Sequence, residues 1–205
     1  MSPWLLLAAA YLLGGIPFSY LTGRWARGID LREHGSGNLG ATNAFRVLGA
    51  RLAAPVMVAD VLKGFVPAFL FHRWDASPDV NWALGYGGAA IVGHVFSLYM
   101  KFRGGKGVAT AAGVFLGLAP LALGVAVAVW LVVLKLGRMV SLASICGAVT
   151  LLAMLFAVPH RMEIRVLGAA VAAFVIFAHR ANIRRIARGE EPRFGTPKPA
   201  AGEAP

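Results

Sequence analysis

Apolar residues run along this chain in long blocks, not at every second or fourth position, and short polar islands divide the blocks. The blocks cover 3–22, 52–71, 82–100, 108–134, 141–158 and 164–178. Roughly 20 apolar residues make a helix long enough to cross the hydrocarbon of a bilayer. The pattern therefore predicts an all-α, polytopic membrane protein. The fourth block is the odd one, since about 27 residues would form a helix of about 40 Å. It contains FLGLAPLALG, in which Pro120 removes a backbone donor and interrupts the helical ladder. One kinked span and two helices joined near Ala119 both fit.

Charge separates these readings. With two helices, sixteen of the twenty Lys and Arg residues fall on one side of the membrane. With one, the turn KLGR at 135–138 and the basic C-terminal stretch move to the other. Cytoplasmic loops carry the excess of Lys and Arg. Seven transmembrane helices are expected, with the N-terminus outside and the C-terminus cytoplasmic. The stretch 108–118 is short for a crossing and is tolerated only when packed inside the bundle. The chain reads as one domain, 1–193, followed by a flexible Pro/Gly/Ala-rich tail, 194–205.

Composition agrees. The chain of 205 residues is 58% hydrophobic and 14% charged, with mean hydropathy +0.68. A soluble globule is about 45–50% apolar and about 25% charged. The net charge of +11 follows from the positive-inside bias and needs no nucleic-acid partner. The first block has no basic residues before it and is long enough to span, so it reads as a retained helix and not a cleaved leader. Cys146 lies in an apolar block as a small packing group, which leaves no disulfide framework and no thiolate metal site.

The chemistry lies in three polar islands that this topology brings to the cytoplasmic face. The first is GSGNLGATNAFR, 35–46. Gly35 and Gly37 permit a tight backbone and an anion-binding nest. Ser36, Asn38, Thr42 and Asn43 add neutral donors, and Arg46 adds a planar fork suited to phosphate. The second is GHVFSLYMKFRGGKGVAT, 93–110. Its GGKG is not a Walker A loop, because Gly107 follows Lys106 and Met100 stands at the first glycine position. What remains is Lys106 flanked by bare backbone at Gly104, Gly105 and Gly107, at the start of a helix whose amides favour an anion. The third is HRANIRRIARGEE, 179–191, where His179 and Asn182 share a helix face. Arg184, Arg185 and Arg188 are expected to snorkel to anionic lipid. Asp60 and Lys63 lie one turn apart inside a predicted span, and His94 sits near a helix end. These three read as support for the basic cluster. Arg46, Lys106 and His179 with the neutral donors make a receptor for a small phosphorylated substrate. A transporter of an organophosphate and a lipid-synthesising transferase both suit it. Transporter sites lie near the midplane, often between repeats, and neither feature is visible.

The three islands, in this order and in a chain of this length, resemble the cytoplasmic motifs of the bacterial acyl-phosphate:glycerol-3-phosphate acyltransferase family. The resemblance implies a multi-pass enzyme of the bacterial inner membrane, active at the cytoplasmic face; a monomer is expected, although the sequence itself does not reveal the oligomeric state. It would transfer a fatty acyl group from acyl phosphate to the sn-1 hydroxyl of glycerol 3-phosphate. The products would be lysophosphatidic acid and phosphate, with membrane lipids as surroundings and no cofactor or metal. Ser36, Arg46, Lys106, His179 and Asn182 match the family's catalytic and substrate-binding positions, and Ser144 its glycerol-contacting serine. None of the five histidines has Asp five positions on, so the His-x-x-x-x-Asp pair of acyl-CoA enzymes is absent. Acyl phosphate is already activated, and direct attack by the substrate hydroxyl is expected.

Overall fold

Pro17 and Pro120 stand at two of the breaks in the apolar pattern, whereas Pro55 and Pro67 lie inside an unbroken helix. A computed structural model of the chain describes residues 1–77, 79 and 81–195, and its regular elements are all helices. Helix α1 (Pro3–Gly15) stops short of Pro17, and α2 (Phe18–Arg27) leaves at 40° to it. A short helix α3 (Ala41–Leu48) follows the first polar island and leads into α4 (Ala50–Leu70) and α5 (Asn81–Val95). The fourth block parts at Ala119 into α6 (Val108–Leu118) and α7 (Pro120–Gly137). Pro120 opens α7 at a position where a missing donor costs nothing. Helix α8 (Val140–Ala157) precedes α9 (Met162–Ala178), and the chain then bends 54° at His179 into α10 (Arg180–Ala187).

Among the described residues, four segments are long and apolar enough to cross a membrane: Ala50–Arg73, Asn81–Met100, Pro120–Gly137 and Val140–Ala157. Each bent pair, α1 with α2 and α9 with α10, adds one more, which makes six. Helix α6 is shorter, with 11 residues. It is wrapped by protein, with Val114 and Phe115 at 0% exposure in the largest apolar cluster and contacts to α4, α5, α7 and α9.

Small residues hold the bundle together. A Cβ on Gly64 would overlap the Thr110 carbonyl, and one on Gly113 the Val61 carbonyl, so α4 and α6 touch backbone to backbone. Gly14 against Ala90 and Gly93 against Tyr11 do the same for α1 and α5. Such close approach supplies the packing energy that helices in lipid do not get from water.

Beyond α10 the chain turns back on the bundle, and of the tail expected from 194 on only residues 194 and 195 are described. Gly189 (φ +73) ends α10 in a left-handed turn, its N–H donating to Ile186 and that of Glu190 to Arg185. This pair of bonds is a Schellman cap, and it sends residues 190–195 back across the end of the bundle. Phe194 and Gly195 are therefore part of the fold, while 196–205 lie outside the described residues.

Candidate active site

The first polar island is built around Asn43. Its side chain is 1% exposed; Nδ2 donates to the carbonyls of Leu31 (3.2 Å) and His34 (3.0 Å), and Oδ1 accepts the Ser36 N–H (2.8 Å). Leu31 and Leu39 anchor the two ends of the loop in a cluster with Leu48, Ala53, Val56 and Met100. Both amide hydrogens of Asn43 are thus used within the loop, and its Oδ1 holds the Ser36 N–H. Gly35 and Gly37 are both left-handed, at φ +65 and +69, and between them Ser36 is exposed. Asn38 uses its Oδ1 to hold the Gly40 N–H at 2.9 Å. Thr42 and Arg46, four residues apart on α3, are both exposed and share a face.

The second island is held from below. The N–H groups of Gly104 and Gly105 donate to the carbonyls of Val95 (2.9 Å) and His94 (3.1 Å) at the end of α5. They are not open donors for an anion, as the bare glycines suggested. Their lack of side chains serves packing, since a Cβ on Gly105 would overlap Nε2 of His94. Gly107, at φ +77, turns the chain into α6. The support trio lies beneath: Lys63 Nζ is 2.8 Å from Asp60 Oδ1 and donates to the Ile16 carbonyl at 2.9 Å. His94 Nδ1 is 3.8 Å from the same Asp60 oxygen. The trio ties the α1–α2 break to the loop that presents Lys106.

Lys106 meets the third island. Its Nζ donates to Asn182 Oδ1 at 2.5 Å, and Asn182 Nδ2 donates to Glu191 Oε1 at 2.6 Å. Glu191 also accepts from Ser141 Oγ (2.6 Å) and Arg185 Nε (2.8 Å). Burial pushes the Glu191 carboxyl up, but these three bonds and the Arg185 charge outweigh it and hold it below its ordinary value. Burial also pushes the Lys106 ammonium down, to about 8; Glu191 opposes that, while Arg185 and Arg46 add to it. Arg46 thus acts on Lys106 across the gap between islands. The His179 imidazole feels Lys106 and Glu191. His179 is buried at the α9–α10 bend with Nδ1 2.7 Å from the Val175 carbonyl. A nitrogen facing a carbonyl carries the proton, so Nε2 keeps its lone pair.

Two residues of this network escaped the sequence reading. Ser141 and Glu191 were not singled out, and Arg185, expected at the lipid surface, is half-buried against Glu191. The available signal was an acid two residues past a helix-ending glycine in an otherwise basic stretch. Ser144 lies one turn beyond Ser141 on α8; its hydroxyl donates to Val140 (2.8 Å) and accepts from the Trp130 indole (3.4 Å). An apolar cleft of about 290 Å³, lined by Ile16, Pro17, Tyr20, Leu21, Tyr99 and Met100, opens at the α1–α2 break.

The model of a family described as glycerol-3-phosphate acyltransferase matches residues 4–189. A curated relative of that name from Listeria monocytogenes is 48% identical over 190 residues, which cover 93% of this chain and 96% of the relative. The chain belongs to the glycerol-3-phosphate acyltransferase family. Another member, from Synechococcus elongatus, is 44% identical over 193 residues, or 91% of each chain. Among solved structures, the integral membrane glycerol 3-phosphate acyltransferase PlsY (YgiH) superposes in two forms. Its glycerol 3-phosphate form gives a TM-score of 0.88 at 38% identity, covering 95% of this chain and 96% of that one. Its lysophosphatidic acid form gives 0.85 at 36% identity, with the same coverage. Like PlsY, this is an integral membrane protein.

Proposed function

We propose that this chain acylates the sn-1 hydroxyl of glycerol 3-phosphate with acyl phosphate as donor, forming lysophosphatidic acid and phosphate without an acyl-enzyme. The observation that carries the reading is the Lys106–Asn182–Glu191–Ser141 network, with Arg46 acting on the same ammonium. The solved relative with glycerol 3-phosphate supports the acceptor. The relative with lysophosphatidic acid supports the product.

In this mechanism Arg46, Lys106 and Ser36 hold the acceptor's phosphate, with Thr42, Asn38 and the start of α6 completing the cradle. Ser144 lines the glycerol end. The acyl chain lies in the apolar cleft beside Tyr99 and Met100. The sn-1 oxygen attacks the acyl carbon while the lone pair of His179 Nε2 takes the hydroxyl proton. The carbon–oxygen bond to phosphate then breaks, its electron pair leaves on phosphate, and the proton passes to that anion. Cationic groups already in place stabilise the leaving charge, and holding both reactants adjacent supplies much of the rest.

Seven spans follow if α6 crosses inside the bundle between the six others, with the N-terminus outside and α10 at the cytoplasmic surface of the inner membrane. That orientation puts the acceptor site beside soluble glycerol 3-phosphate. In this reading the working unit is a monomer. Purified protein in detergent should form lysophosphatidic acid and release phosphate from glycerol 3-phosphate and palmitoyl phosphate, and not from palmitoyl-CoA. Product from neither donor, alongside vesicle uptake of glycerol 3-phosphate, would replace this reading with a transporter.

A further inference from the structure

Arg46 is held differently from the rest of the site. Lys106, Asn182, Ser141, Arg185 and Glu191 lock one another in a closed set of hydrogen bonds. Among the described residues no hydrogen bond reaches the Arg46 guanidinium, and its one assigned interaction is the repulsion it exerts on Lys106. A long side chain on an eight-residue helix has wide freedom unless the helix itself is placed. Helix α3 packs on α4 and α2, whereas the locked half of the site is carried by α8, α10 and the loop before α6. The halves are joined below by α4 against α6, so what is left to set is the reach of α3 across the gap to α10.

The C-terminal strap spans that gap. After the Schellman turn at Gly189, Glu191 gathers its three donors. Residue 194 then exchanges two hydrogen bonds with the α7–α8 turn: Phe194 N–H donates to the Arg138 carbonyl (2.5 Å), and Arg138 Nε donates to the Phe194 carbonyl (3.2 Å). Both ends of the strap are therefore fixed to the locked half. The ring of Phe194 projects from it onto Phe45 of α3, with centroids 6.5 Å apart and planes at 70°. Phe45 immediately precedes Arg46. The Phe194 side chain is 49% exposed, so general core burial does not account for its placement.

We propose that Phe194 is a positioning residue that sets, through Phe45, the separation of Arg46 from Lys106 and Asn182, and so closes the phosphate clamp from the α3 side. This rests on the acyl-acceptor reading given above. A ring that only anchored the chain in the lipid headgroups would be indifferent to which substrate is varied. A ring that places Arg46 affects the acceptor alone.

The test is steady-state kinetics in detergent with each substrate varied in turn. Phe194→Ala should raise KM for glycerol 3-phosphate about three- to tenfold, the range that an edge-to-face aromatic pair covers, and leave KM for palmitoyl phosphate unchanged. Phe194→Tyr keeps the ring and should retain the wild-type KM. Phe45→Ala should match Phe194→Ala, and the double variant should be no worse than either. Equal KM values for wild type and Phe194→Ala overturn the proposal, as do effects that multiply in the double variant or appear for both substrates. Phe194→Leu serves where the alanine variant fails to fold. If the wild type turns over no donor, the reaction falls. The strap is then judged by calorimetric titration with glycerol 3-phosphate: three- to tenfold weaker binding to Phe194→Ala sustains it, and equal affinity or no binding to either chain overturns it.

Discussion

Lys106 donates to Asn182 Oδ1 across 76 residues of sequence. That bond decides which way the Asn182 amide faces: with Oδ1 turned to the ammonium, Nδ2 points at Glu191. Three side chains therefore form one unit, and their contributions are coupled. Charge-assisted hydrogen bonds are worth about 1.5–3 kcal/mol each, a factor of about 10–150 in rate or affinity.

The first prediction follows from the coupling. Asn182→Ala should lower kcat/KM for glycerol 3-phosphate about 10–100-fold, and Lys106→Ala by at least about 100-fold, with both proteins still folded in detergent. The double variant should be little worse than Lys106→Ala alone, because each single change already breaks the same unit. Losses that multiply would show that the two residues act separately.

Glu191 should matter more to folding than to substrate contact. Its carboxylate collects donors from α8 and α10, and its side chain is 5% exposed. Glu191→Gln keeps the shape but turns two amide hydrogens toward a site where only acceptors fit. Leaving buried donors unpaired costs about 1–3 kcal/mol. A lower melting temperature in detergent is expected for Glu191→Gln, with a smaller loss of kcat per folded molecule than in Lys106→Ala. An unchanged melting temperature would remove Glu191 from the structural role.

How much of this was legible beforehand differs between scaffold and site. The blocks at 52–71, 82–100 and 141–158 reappear as α4, α5 with the turn after it, and α8, because twenty apolar residues leave the backbone no other way to satisfy itself in lipid. Pro120 marked the parting of α6 and α7 for the same backbone reason. The bend at His179 has no proline or glycine to announce it, and α3 was hidden in a polar, glycine-rich island. Within the site, composition could not tell a donor that faces open space from one that faces its own chain. Asn43, Gly104 and Gly105 looked equivalent to Ser36, yet their partners lie in segments up to twelve residues away and emerge only once those segments pack. Glu191 had a readable cue in Gly189, but its three donors come from α8 and α10.

The alkaline pH limb should report Lys106. Burial holds its ammonium down at about 8 in the free protein, well below the ordinary 10.5 or so for lysine. Only the protonated form binds a phosphate dianion, and the substrate's second ionisation, near 6, is complete by then. So kcat/KM for glycerol 3-phosphate should fall as pH rises through about 8. A bound dianion favours the ammonium, so the limb in kcat should lie at higher pH. Lys106→Arg should remove the limb from kcat/KM up to about pH 10. A profile flat from 7 to 10 in the wild type would assign the clamp's charge elsewhere.

Gly105 offers a test by complementary size. Its N–H caps the His94 carbonyl, and a Cβ there would fall on Nε2 of the same histidine. His94 in turn lies 3.8 Å from Asp60, which Lys63 holds from the other side at 2.8 Å, so the ring has little room to retreat. Gly105→Ala must then displace the loop that carries Lys106 toward Asn182. The expected result is a fall of about tenfold or more in kcat/KM for glycerol 3-phosphate, since a displacement of about 1 Å in a positioned group costs that much or more. His94→Ala empties the space the new methyl group needs. Combined with Gly105→Ala, it should recover part of the lost activity even though His94→Ala alone is itself impaired. If the double variant is worse than Gly105→Ala, the glycine is needed for something other than the room its neighbour occupies.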